Sequence, residues 1–136
     1  MPSQKKGDFI KMEIKEKFGT LTKAQLFNMS KGIACTPLKN VETATEFGVK
    51  AAVIMTDHKT DMHSGEIKEK DILHILADSG EIYTTESPTV IETFTMAAEF
   101  MGSDNLRFRL IRQKSKNGRT FMDLELLSYD NAPYEG

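Results

Sequence analysis

The 136-residue chain has no tryptophan, a single cysteine, four prolines and no arginine before position 107. Cys35, standing alone, excludes an internal disulfide and any paired-cysteine metal or redox motif. With no histidine and carboxylate arranged around it in a recognisable pattern, it reads as a small buried hydrophobe rather than a nucleophile. No apolar run is long enough to span a membrane. The Lys-rich start, MPSQKKGDFIKMEIKEKFG, lacks the apolar core and small-residue cleavage site of a secretory signal, so an intracellular location with no membrane partner is expected. A nucleophile elbow, a phosphate-cradling Gly-rich loop, an HExxH pair and a paired-carboxylate constellation are also missing. Neither an enzymatic activity nor a cofactor is expected.

What is present is an ordinary globular composition, 39% hydrophobic and 28% charged, in a chain of the length of one domain. The net charge of −2 hides an asymmetry. All four arginines, Arg107, Arg109, Arg112 and Arg119, fall in one stretch with Lys114 and Lys116, and no acidic residue occurs from Asn105 to Met122. The last segment then reverses sign at Asp123, Glu125, Asp130 and Glu135. A local basic stripe of this kind, more than the overall charge, is the footprint of a nucleic-acid binder.

Three regions are expected: a Lys-rich N-terminal arm over residues 1–20, a domain over 21–127, and a short acidic tail over 128–136. In the arm, Phe9, Ile10, Met12, Ile14 and Phe18 are anchors for a short helix, a docked strand or a loose arm. LTKAQLFNMSKG reads as a short helix stopped by Gly32, and PLKNVET as a loop. From Phe47 the period changes to two, which predicts a first strand. DHKTDMHSGE, residues 57–66, reads as a long polar loop. IKEKDILHILA is polar at first and apolar on both faces from Ile72, as in a strand entering a doubly covered interior. A turn at Asp78-Ser79-Gly80 leads to a short third strand through Tyr83. Ser87 as N-cap, Pro88 at the first position and Gly102 at the end then bracket a helix with Ile91, Phe94, Ala98 and Met101 on one stripe. Leu106–Gln113 and Arg119–Leu127 form a final hairpin.

The turn of that hairpin decides its faces. A two-residue turn at Asn117-Gly118 would set the apolar row Leu106, Phe108, Leu110 against Asp123 and Glu125. A three-residue loop, Lys116-Asn117-Gly118, with Gly118 in the left-handed position, shifts the pairing by one. Leu110 then meets Leu124 and Phe108 meets Leu126. The opposite face pairs Arg109 with Glu125, Ile111 with Asp123 and Gln113 with Phe121, and Arg107 extends that row.

Two readings of this outer face are open. Arg109 and Glu125 form a cross-strand ion pair beside a stray aromatic, or Phe121 is a stacking platform while Arg107, Arg109, Lys114, Lys116 and Arg119 track phosphates. Arg112, in the same stretch, joins the expected binding set. Lys50, Lys68 and Lys70 extend the basic surface onto the first two strands, and Tyr83 is either a second stacking ring or a core ring. Asp57, His58, Asp61 and His63 gather metal-ligand types, but their spacing matches no named motif, and no metal is expected. His74, in an apolar run, reads as a core residue.

Three strands, a helix and two further strands is the layout of a five-stranded antiparallel OB-fold barrel, with a small α+β sandwich as the other architecture. LFNMSKG, PLKNV, ADSGEIYTTES, PTVIETF and RFRLIRQKSKNGRTFMDLELL, in that order, resemble the small single-stranded DNA-binding proteins of tailed phages, including those with protein-primed replication. The resemblance spans Lys23 to Leu127. It implies an OB-fold protein that coats displaced single strands during replication with little sequence preference and has replication proteins as further partners. Unlike many such proteins the chain has no tryptophan to stack on bases. A protein-interaction module or inhibitor that presents the basic hairpin to an acidic surface, and a single-stranded RNA binder, are the other functions the residues allow.

Overall fold

A computed structural model describes residues 9–102 and 106–128. Residues 1–8 of the Lys-rich arm and nearly all of the acidic tail lie outside the described residues. The strands are β1 (Phe9–Phe18), β2 (Cys35–Pro37), β3 (Glu46–Thr60), β4 (Ile67–Ala77), β5 (Ile82–Thr85), β6 (Arg107–Lys114) and β7 (Thr120–Leu126), with helices α1 (Lys23–Lys31) and α2 (Pro88–Met101). The strands form a curled mixed sheet in the order β2-β5-β4-β3-β6-β7, and β1 adds to β3. The result is a half-barrel of seven strands where five were expected.

Most local expectations have direct counterparts. Thr22 and Gln25 form a reciprocal capping box at the start of α1, and Gly32 closes it in the left-handed conformation. Ser87 caps α2 with Pro88 in its first turn. β4 runs from solvent into a buried half, as its polar-to-apolar sequence requires. One face of β3 and β4 meets α2, β6 and β7 around Ala52, Ile54, Leu73, Ile75, Phe94, Phe108 and Leu110. The other meets α1 through Met29, Val53, Met55 and Leu76.

Three segments differ from expectation. Residues 57–60 belong to β3 rather than to a loop, because β1 and β4 pair with them on both edges, Asp57 lying between Met12 and Lys70. Backbone pairing on two sides overrides the polarity of the side chains. The Lys-rich segment is strand β1, whose alternation of Met12 and Ile14 with charged residues was too short to separate from helix or arm. PLKN, expected as loop, begins at the end of β2 and continues as a 3₁₀ turn that buries Leu38 completely.

The long strand β3 is the hinge of the architecture. Its first residues, Glu46 to Gly48, pair with β6 on one edge, while residues 52–60 pair with β1 on that same edge. Gly48 permits the crossing, since a Cβ there would run into the carboxylate of Asp78. Among the described strands β7 has one edge unpaired. There α2 closes in: Thr93 Oγ1 donates to Asp123 Oδ1 at 2.6 Å, and the same oxygen accepts the Leu124 N–H at 2.8 Å. The helix thus covers the backbone edge that full closure would pair with another strand.

His74 is buried on the α1 side, and its Nδ1 has no hydrogen-bond partner. Burial lowers its pKa below the ordinary 6.5, against a smaller opposing pull from the backbone of Met29, Ile72 and Val53. The unfolded chain therefore takes up this proton first, and stability is lost as the pH falls from 6.5 towards the depressed folded value. Urea midpoints taken at about pH 7.5 and about pH 5.5 should drop in the wild type and drop less in His74→Leu. Equal drops in both proteins would assign the effect to other groups.

Candidate nucleic-acid interface

The β6–β7 hairpin has the three-residue register. Leu110 pairs with Leu124, Phe108 with Leu126, Arg109 with Glu125, Ile111 with Asp123 and Gln113 with Phe121. Ser115 N–H donates to Arg119 O at 2.8 Å, Gly118 N–H donates to Ser115 O at 2.9 Å, and Gly118 has φ 80°. Asn-Gly therefore supplies a left-handed residue at the third loop position and not a two-residue turn. Leu110 and Leu124 are buried beneath it.

The arginines of the stretch divide by what holds them. Arg109 donates from Nη1 to Glu125 at 2.7 Å and from Nη2 to Glu46 at 3.0 Å. These carboxylates raise its pKa, Glu46 contributing most. Its charge is matched across three strands. Arg112 donates to Thr43 Oγ1 at 2.6 Å and to the carbonyls of Val41 at 2.8 Å and Lys39 at 3.1 Å. It ties the hairpin to the 3₁₀ segment, with one arm of its fork on a hydroxyl and the other on two backbone carbonyls. Arg107 is exposed and its guanidinium shares the space above Gly48 with Asp78.

Lys114, Lys116 and Arg119 are different. All three are exposed at the tip and make no ion pair among the described residues. Phe121, half-buried on β7, pairs with Gln113 on the face opposite Lys114, which pairs with Thr120, and makes no ring-to-ring contact among the described aromatics. Three unmatched cations and one accessible ring on a rigid hairpin are the parts from which sequence-tolerant single-strand binding is built.

The remaining predicted residues lie elsewhere. Tyr83 is buried, its ring centroid 5.2 Å from that of Phe47, and burial raises its pKa. It packs the core, as one of the two expectations held, and has no open face on which a base could stack. Lys50 is exposed on β3. Lys68 stands across from Lys59, Lys70 lies 3.4 Å from Glu86, and these lysines share a surface pocket with Asp57 and Glu69. β6 runs antiparallel to β3, so the β6–β7 tip and the β3–β4 tip leave β3 in opposite directions. The two basic groups are separate.

The residues considered for a metal do not converge. His58 Nδ1 is 3.1 Å from Glu69 and its Nε2 is 3.3 Å from Glu13, whereas Asp61 accepts the His63 N–H at 2.9 Å inside the turn and is held ionised by it. No metal-holding group of three such side chains exists among the described residues. Glu46, the other partner of Arg109, has no local signal in the sequence, because the pairing of β3 with β6 joins residues 63 apart in the chain. Among the described residues no helix is long and apolar enough to cross a membrane. Comparison with protein-family models, with curated proteins and with solved structures finds no match.

Proposed function

We propose that this protein binds single-stranded DNA with little sequence preference and without catalysis, through the tip of the β6–β7 hairpin. One observation carries the reading. Lys114, Lys116 and Arg119 have no acidic partner among the described residues, and a half-exposed Phe121 follows two residues after Arg119, while Arg109 and Arg112 are held by the fold. A groove that neutralises phosphates and offers aromatic faces binds any base, since every base has a stacking surface.

The connectivity supports an OB-type reading of the scaffold. The order β5-β4-β3-β6-β7, with α2 between β5 and β6, is compatible with a partly open five-stranded barrel, β1 and β2 being additions on this reading. In such a protein the first and last hairpins flank the bound strand. Here they are β3–β4 and β6–β7, whose tips lie at opposite ends of β3, so the β6–β7 tip is proposed to bind without the lysines of β3–β4. The proposed role is the coating of strands exposed during phage-type replication.

Phe121→Ala tests the stacking half of the proposal. Loss of one base–aromatic stack costs about 1–3 kcal/mol, so affinity for a fluorescent oligo-dT should fall by about 5- to 150-fold with the circular dichroism unchanged. Unchanged affinity would remove Phe121 from the site. Competition with a matched RNA oligomer in the same assay separates DNA from RNA preference through the 2′-hydroxyl.

A further inference from the structure

Strand β1 is a ten-residue edge. It pairs with β3 on one side and with no other described strand. Natural edges are blunted by shortness, charged side chains, proline, a bulge or a covering element, and charge repels a second strand only where like signs meet. β1 has no proline, and its bulge lies between Ile14 and Glu16, so the strand is regular from Phe9 to Ile14. Its charges alternate in sign with the sequence Lys11, Glu13, Lys15. Beside it, Ile14 is 50% exposed and Phe27 of α1 is 58% exposed. Both line a groove with Met12, Leu26 and Met55 on the α1 side of the sheet.

We propose that this edge is a homodimer interface, in which β1 pairs antiparallel with β1 of a second copy of this chain and continues the sheet across a two-fold axis. Self-pairing of one strand is isologous, so the register is named by the residue at the axis. Centring on Met12 sets Glu13 opposite Lys11 of the other copy, twice, and Ile14 opposite Ile10, twice. Centring on Lys11 or Glu13 instead sets like charges face to face, which is destabilising. Centring on Ile14 runs the pairing through the bulge. The Met12 register is the one that joins unlike charges over regular backbone. It also keeps Met12 and Ile14 on the face where Phe27 stands, so the two-fold copy brings an apolar cover to side chains that a single copy leaves in water.

Sedimentation velocity of the full chain without nucleic acid, over a concentration series, reads the association. The wild type should pass from monomer to dimer with rising concentration. Lys11→Glu alone and Glu13→Lys alone should each weaken the dimer about tenfold or more, because both cross-strand pairs become repulsive. An equimolar mixture of the two variants should restore it, since each then meets its opposite charge. Circular dichroism of each variant guards against a folding defect at Glu13, which lies 3.3 Å from His58. A wild type that stays monomeric at every concentration overturns the proposal, as does a mixture that associates no better than either variant. No DNA is present, so the outcome is independent of the binding function proposed above.

Discussion

Phe94→Ala should destabilise the protein by about 3–5 kcal/mol, the cost of removing a fully buried aromatic from a core that collapses only partly around the void. Phe94 comes from α2 and is completely buried. Its ring meets Phe18 of β1 edge-on at 5.1 Å and Phe108 of β6 at 5.6 Å. Phe108 in turn lies 6.1 Å from Phe47. One side chain therefore joins the helix to both strands that share an edge of β3. Since a domain of this size is stable by only about 5–15 kcal/mol, the urea midpoint should fall steeply with an unchanged slope. Phe94→Leu, which keeps most of the volume, should cost much less. A loss below about 1 kcal/mol for the alanine variant would mean that the packing of α2 on β1 and β6 through Phe94 contributes little to stability.

Replacing Lys114, Lys116 and Arg119 together by alanine should reduce affinity for oligo-dT at low salt on the order of a hundredfold, taking about 1 kcal/mol for each exposed charged contact. The more specific effect is on salt dependence. Each phosphate neutralised on a single strand contributes about 0.7 to the log-log slope, so the triple variant should lose about 2 from it. Stability should be unaffected, because none of the three holds another part of the fold. Arg112→Ala provides the opposite pattern: its bonds to Thr43, Val41 and Lys39 predict lower stability and an unaltered slope. A triple variant with the wild-type slope would move the phosphate contacts to the β3–β4 hairpin.

Legibility in the sequence followed the range of the interaction. The hairpin register was readable because two local facts agree: Asn-Gly offers a left-handed position, and only a three-residue loop puts Leu110 against Leu124. α2 was readable from Ser87-Pro88, Gly102 and a stripe of apolar residues. β1 was obscured because its charged residues face solvent on a strand whose existence depends on pairing with β3. The same pairing turns Asp57 to Thr60 into strand against their polarity. The candidate site was legible as a composition and not as an arrangement. That the arginines cluster is plain from the chain, but which of them are free depends on Glu46 and on the carbonyls of Lys39 and Val41, distant residues that only tertiary structure brings near. The lysines of the tip, next to the turn itself, were the part local chemistry could place.

The central claim is that the hairpin tip binds single strands chiefly through their phosphates. Fluorescence anisotropy of a labelled oligo-dT titrated with the wild-type protein at low and at moderate salt tests it most directly. Binding at low salt should be indifferent to base sequence and should weaken with a log-log slope of about −2 if the three tip cations carry it. Absence of binding at low salt, or an affinity that does not respond to salt, would contradict it.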